Sequence, residues 1–219
     1  MSTLDYILNK YFPNRKYQPD FEEFRRMPIK IRDTNRETLT HLFRELGFTL
    51  GVEIGVRGGE FSEMICRNNP DLGVMYGIDP YEPHEGYKDI QRQSTFNKYE
   101  KEAHTRLDKY AKYDFIKHYS KDSLHYFDDT SLDFVYIDGD HSFYEVTHDI
   151  EFWSKKVRPG GIVSGDDYFK HRGESHIDVY QVVNAYTDAK GIKPWFVLGA
   201  DDVIEGEKRD HGRSWFWVK

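Results

Sequence analysis

Residues 51–62 read G-V-E-I-G-V-R-G-G-E-F-S, and residues 76–80 read Y-G-I-D-P. The first stretch passes from a short apolar strand signal into a glycine turn, and then into a helical pattern carried by Phe61, Met64 and Ile65. Gly55, Gly58 and Gly59 therefore fall where a strand meets a helix. Glycine at that junction permits a tight turn and lets backbone approach a ligand closely. The turn lacks a G-K-[S/T] ending and is not G-x-G-x-x-G, which disfavours a nucleoside triphosphate site. Glu53, one residue before the strand ends, suits a cationic amino group and would repel phosphates. About twenty residues beyond the glycines, Asp79 ends the next strand, where a carboxylate accepts the hydroxyls of a ribose in doubly wound folds.

Outward from these stretches, short apolar runs alternate with helical patterns. Seven strand candidates emerge: 50–54, 74–78, 114–117, 134–137, 161–164, 195–198 and 214–218. The alternation predicts one α/β domain with a doubly wound, Rossmann-like, mostly parallel sheet. The last two strands lack an intervening helix and are expected as an antiparallel hairpin at the sheet edge. Leu39, Leu42, Phe43 and Leu46 give one helical face that stops at Gly47. Residues 1–33, with Pro13, Pro19 and Pro28, form an N-terminal extension expected to act as a lid or an oligomer contact, and residues 34–219 form the main domain. Residues 80–95 insert a polar segment with Tyr81, His84 and Tyr87 after the second strand, before a helix over 96–113. Loops at that end of an open sheet carry specificity.

The chain has 219 residues, 32% charged, 38% hydrophobic and 16% aromatic, with a formal net charge of −7. That composition folds around one core, and its sign argues against an extended nucleic-acid surface, leaving a small molecule as the expected partner. Cys66 is the single cysteine, which excludes an internal disulfide and reads as the buried side of a helix. No apolar run approaches membrane-spanning length, and the expectation is a cytoplasmic protein without membrane association.

The fourth strand delivers F-V-Y-I-D-G-D-H, placing Asp138, Asp140 and His141 at its end; the fifth delivers P-G-G-I-V-S-G-D-D-Y, with Asp166 and Asp167. Neighbouring strands lie just under about 5 Å apart, so these acids share one cavity. Their mutual repulsion is relieved by a hard divalent cation such as Mg²⁺, which would also activate and orient a substrate hydroxyl. Helix capping by Asp138 and an Asx turn at Asp166–Asp167 are the ordinary structural alternatives. Farther on, Lys170, His171, Arg172 and His176 gather in a loop that lacks a recognisable zinc set.

Over residues 48–219 the chain resembles class I S-adenosylmethionine-dependent methyltransferases, with V-E-I-G-V-R-G-G as first motif and Y-G-I-D as second. The resemblance implies that Gly55 and Gly59 line the methionine part of S-adenosylmethionine, that Glu53 neighbours it and that Asp79 binds the ribose. Arg57 stands where the commonest form has a glycine. Ser120 to Asp122 match the region that meets adenine. The acidic ends of the fourth and fifth strands look like those of metal-dependent O-methyltransferases, including the branch that modifies sugars in macrolides. By position, Asp138, Asp166 and Asp167 would hold the metal, with His141, three residues past Asp138, as general base. I-D-G-D-H-S-F-Y-E also resembles a broader methyltransferase family, so the substrate does not transfer with it. Three functions follow: metal-assisted methylation of a small-molecule hydroxyl; metal-free methylation of an amine, protein or nucleic acid; or cofactor binding without catalysis in a complex, docked through the first 33 residues.

Overall fold

A computed structural model describes residues 1–13, 26–84, 92–170 and 177–219. Its centre is a run of parallel strands, β2 (Leu50–Ile54), β3 (Val74–Ile78), β4 (Tyr113–Ile116), β5 (Leu132–Ile137) and β6 (Val157–Gly165). Two further strands, β7 (Trp195–Leu198) and β8 (Trp215–Val218), and a three-residue β1 (Ile29–Ile31) complete an eight-stranded sheet in the order β1-β7-β8-β6-β5-β2-β3-β4. The doubly wound, mostly parallel sheet is as expected. The C-terminal pair is antiparallel but not at the edge: β8 lies between β6 and β7 and is antiparallel to both, while β1 pairs in parallel with β7 and forms that edge. The described parts of residues 1–33 are built into this core. Besides β1, helix α1 (Thr3–Tyr11) buries Ile7 and Leu8 and ties the Thr3 hydroxyl to the Gly160 carbonyl at 2.7 Å.

Side chains alternate across β5, and the alternation divides the core into two layers. Phe134 and Tyr136 face α1, α2 (Arg36–Glu45), α3 (Glu60–Asn68) and α4 (Gln93–Leu107), where Phe43 stacks on Phe134 with ring centroids 3.9 Å apart. Val135 and Ile137 face α6 (Phe143–Lys156) and α7 (Val179–Ala189), packing with Val146, Ile150, Trp153 and Val183. Cys66 is buried in the first layer. The helix expected over 96–113 begins three residues earlier and ends at Leu107, and Tyr113, expected to be helical, opens β4.

At the opposite end of the sheet from the strand-end acids, Asp133 ties three segments together. It accepts from the Thr49 and Leu50 amides at 2.6 and 2.9 Å and from the Arg158 Nε at 2.6 Å. Burial pushes its carboxyl up, but the two amides and the guanidinium outweigh it and hold the group below the ordinary Asp value. Replacing a largely buried carboxylate that serves this many donors is expected to cost about 3 kcal/mol, so Asp133→Ala should lower unfolding stability by that amount at pH 7. A depressed carboxyl contributes stability in full above its unfolded value of about 3.9 and loses it as pH falls toward the folded value. Urea titrations should therefore show the difference between wild type and variant shrinking below about pH 4.

Candidate active site

Parallel register brings the sequence-predicted residues together. Ile54 pairs with Ile78 on one side and with Ile137 on the other, and Ile137 pairs with Gly165. Gly55, Asp79, Asp138 and Asp166 each stand one residue beyond this row, at the carboxyl edge of the sheet. They line one cavity of about 1480 Å³. That is larger than the few hundred to about 1,000 Å³ of pockets that hold a single small ligand.

One half is built on β2, β3 and the loop after β4. Gly55 (φ +86°) closes β2 against β5: a Cβ there would sit 2.0 Å from the Asp138 carbonyl oxygen. Gly59 (φ +82°) is different. It caps α3, does not line the cavity, and its missing Cβ admits Leu107 and Ala103 of α4. The close approach expected at Gly59 is thus to a helix. Arg57 also adopts a left-handed φ of +51° in place of the more usual glycine. Asp79 accepts from the Val56 and Arg57 amides at 3.1 and 2.9 Å and from the Tyr81 amide at 2.8 Å, holding the glycine turn beneath the cavity. Burial raises its carboxyl despite those three donors. Glu53 is 2% exposed, reaches the cavity wall and accepts from the Ser62 hydroxyl; burial holds its carboxyl well above the usual range. Ser120 opens the short helix α5 (Ser120–Ser123), lines the cavity and donates to buried Asp149, whereas Asp122 is exposed and does not line it.

The other half is acidic. His141 Nε2 lies 3.1 Å from Asp167 Oδ2 and 3.5 Å from Asp138 Oδ1, and ligand atoms of these three residues fall within 4.8 Å of one another. One ion about 2.0–2.5 Å from each is compatible with that spacing. Asp166 does not join them. Its carboxylate meets the Ser214 hydroxyl at 3.3 Å and Arg36 at 3.9 Å, and burial, then repulsion from Asp138 and Asp167, pushes it well up. The left-handed φ of +58° at Asp167 sends the two neighbouring side chains in different directions. Asp140 is taken up by the turn: it accepts from the Ser142 amide at 2.8 Å and pairs with His84 at 3.1 Å. Capping by Asp138 is not seen, since α6 is capped at Ser142 without a side-chain bond.

Sequence reading missed Arg36. It occupies the first turn of α2, lines the cavity between Glu53 and Asp166, and sits over the Phe61 ring at 5.7 Å. A signal existed: a helix that leads into a parallel strand runs back along it, so its first turn lies at the strand's carboxyl end. Buried Asp149 and the aromatic wall of Phe96, Tyr99 and Tyr119 were also missed. Tyr81 and His84 line the cavity as well. Tyr87, His171, Arg172 and His176 lie outside the described residues.

A glycine turn and strand-end carboxylates on one cavity, above a sheet whose last strand inserts antiparallel beside the fifth strand of the repeat, define a class I methyltransferase. A family model described as a methyltransferase domain matches residues 52–168, more than half of the chain, and the chain belongs to that family. Its fold is similar to that of a Staphylococcus aureus protein described as a caffeoyl-CoA O-methyltransferase (TM-score 0.60, 15% identity, 84% of this chain and 82% of that one). It is also similar to the O-methyltransferase from Bacillus cereus in complex with SAH (0.58, 16%, 99% and 90%) and to TomG of Streptomyces achromogenes, an O-methyltransferase in complex with SAM (0.53, 18%, 84% and 79%). At these identities the likeness is one of fold. No curated protein matches the chain. Among the described residues, no helix is long and apolar enough to cross a membrane.

Proposed function

We propose that the cavity binds S-adenosylmethionine beside a small-molecule acceptor, and that the enzyme methylates a hydroxyl of that acceptor with the help of a divalent cation such as Mg²⁺. The observation that carries this reading is the common register of the two halves, which sets the glycine turn and Asp79 next to Asp138, His141 and Asp167 in one cavity. S-adenosylmethionine supplies an electrophilic methyl group. Asp79 suits its ribose: Oδ2 already accepts two amides and Oδ1 one, which leaves an acceptor position on Oδ1 for a ribose hydroxyl. Gly55, Glu53 and Ser120 complete the cofactor wall.

Asp138, Asp167 and His141 Nε2 form the metal set in this reading, replacing Asp166 in the expected one. A divalent ion there stabilises the oxyanion of an acceptor hydroxyl and points it at the methyl group. Asp166 stays outside the set, 3.9 Å from the Arg36 guanidinium. A sugar is a natural acceptor class, because its hydroxyls are weak nucleophiles that gain most from such activation. His141 cannot use Nε2 both as ligand and as base. The 3.1 Å pairing of that atom with Asp167 favours one second reading, in which no metal binds and His141, oriented by Asp167, takes the acceptor proton.

The deciding experiment is a methyl-transfer screen against sugars, phenols and glycosides, read by S-adenosylhomocysteine release with Mg²⁺ or with EDTA. Metal-dependent turnover of a hydroxyl acceptor is expected. Turnover undiminished by EDTA selects the second reading, and turnover only of amines overturns O-methylation. For the cofactor half, Asp79→Asn replaces an anionic acceptor with one that also points N–H groups at amide donors. Calorimetry should show S-adenosylmethionine binding weakened about 30-fold, equivalent to about 2 kcal/mol.

A further inference from the structure

The acidic turn after β6 is held from outside the parallel repeat by the first residue of β8 and the residues leading into it. Trp215 Nε1 donates to the Asp166 carbonyl at 3.1 Å, the Ser214 hydroxyl meets the Asp166 carboxylate, and the Tyr168 amide donates to the Arg213 carbonyl at 2.9 Å. Gly212 completes the clasp by an absence. A Cβ on Gly212 would lie 2.2 Å from Asp167 Oδ1, so that oxygen occupies the space a side chain would fill, while Oδ2 of the same carboxylate faces His141.

We propose that Gly212 is a positioning residue: its missing side chain is the seat that turns the Asp167 carboxylate toward Asp138 and His141. The inference rests on the metal reading above. At Gly212 stability and placement separate. Gly212 does not have a left-handed φ, so alanine fits its backbone; the severe contact of such a methyl group is with the far end of the Asp167 side chain at 2.2 Å, and the Asp167 Cα, at 3.3 Å, has to give only slightly. The carboxylate swings aside and the fold is kept. With Oδ1 displaced, Oδ2 moves with it, because the two oxygens share one rigid plane.

The test is Mn²⁺ binding by calorimetry on the full chain, comparing wild type, Gly212→Ala, Asp167→Ala and the double variant. Gly212→Ala should weaken Mn²⁺ at least about 10-fold, the range found when a partner that orients a ligand is lost. Its S-adenosylmethionine affinity should be unchanged and its thermal midpoint within about 3 °C of wild type. In the Asp167→Ala background the second substitution should have no further effect on Mn²⁺. Should Gly212→Ala lower the midpoint more, removing the Asp167 side chain should restore it. Wild-type Mn²⁺ affinity in Gly212→Ala, or additive losses in the double variant, would overturn the proposal. Absence of Mn²⁺ binding to the wild-type protein overturns the metal reading and this inference with it, a result told apart by appearing before any substitution.

Discussion

Asp138→Ala is expected to reduce methyl transfer about 10³-fold, a barrier increase of about 4 kcal/mol, while leaving S-adenosylmethionine affinity within about twofold. The separation follows from how Asp138 is held. Its amide donates to the Ile54 carbonyl at 2.8 Å and its carbonyl packs against Gly55, so its backbone belongs to the cofactor half. Its carboxylate faces His141 in the reacting half. Removing the side chain keeps the first set of contacts and deletes the second. Steady-state kinetics on the acceptor found by screening, with calorimetry on the cofactor, gives both numbers. A variant that keeps more than a tenth of wild-type kcat/KM would remove the acidic set from the reaction.

Gly55→Ala is expected to lower unfolding stability by about 4 kcal/mol and to abolish binding in both halves of the cavity. Two demands coincide there. The φ of +86° disfavours any L side chain, and the added methyl group meets Asp138 O at 2.0 Å, Asp138 C at 2.5 Å and Gly139 Cα at 2.8 Å. All three are backbone atoms, which cannot swing aside as the Asp167 carboxylate can. Gly47 supplies the control, with φ +68° and nothing within 4 Å of its missing Cβ. Gly47→Ala meets only the conformational demand and should cost about 1 kcal/mol. Urea unfolding of the two variants compares them directly, and equal losses would show that Gly55 does not tie β2 to β5.

The glycine turn, Asp79, Asp138 and Asp167 were legible in the sequence because each ends a short apolar run, and parallel strands in register deliver their ends to one edge. Which residues share that edge is set by period and strand length. Which way each side chain turns is set by local backbone that periodicity does not encode. Asp166 and Asp167 are neighbours with the same chemistry, and one positive φ sends them apart. Gly59 sits in the motif yet serves a helix contact, and Asp122 lies two residues past Ser120 on a helical turn that carries it out to solvent. The position of β8 was hidden for a different reason. Chain order alone does not say that a last strand slips between two earlier ones, and β1, at three residues, is too short to show alternation. Arg36 was missed because its helix was read only for its apolar face.

S-adenosylmethionine is the ligand proposed for this cavity. Isothermal titration of the purified chain with S-adenosylmethionine tests that proposal most directly. The expected result is one site with a dissociation constant in the range of about 1–100 μM, displaced by S-adenosylhomocysteine. A flat titration at millimolar ligand, from folded protein, would contradict it.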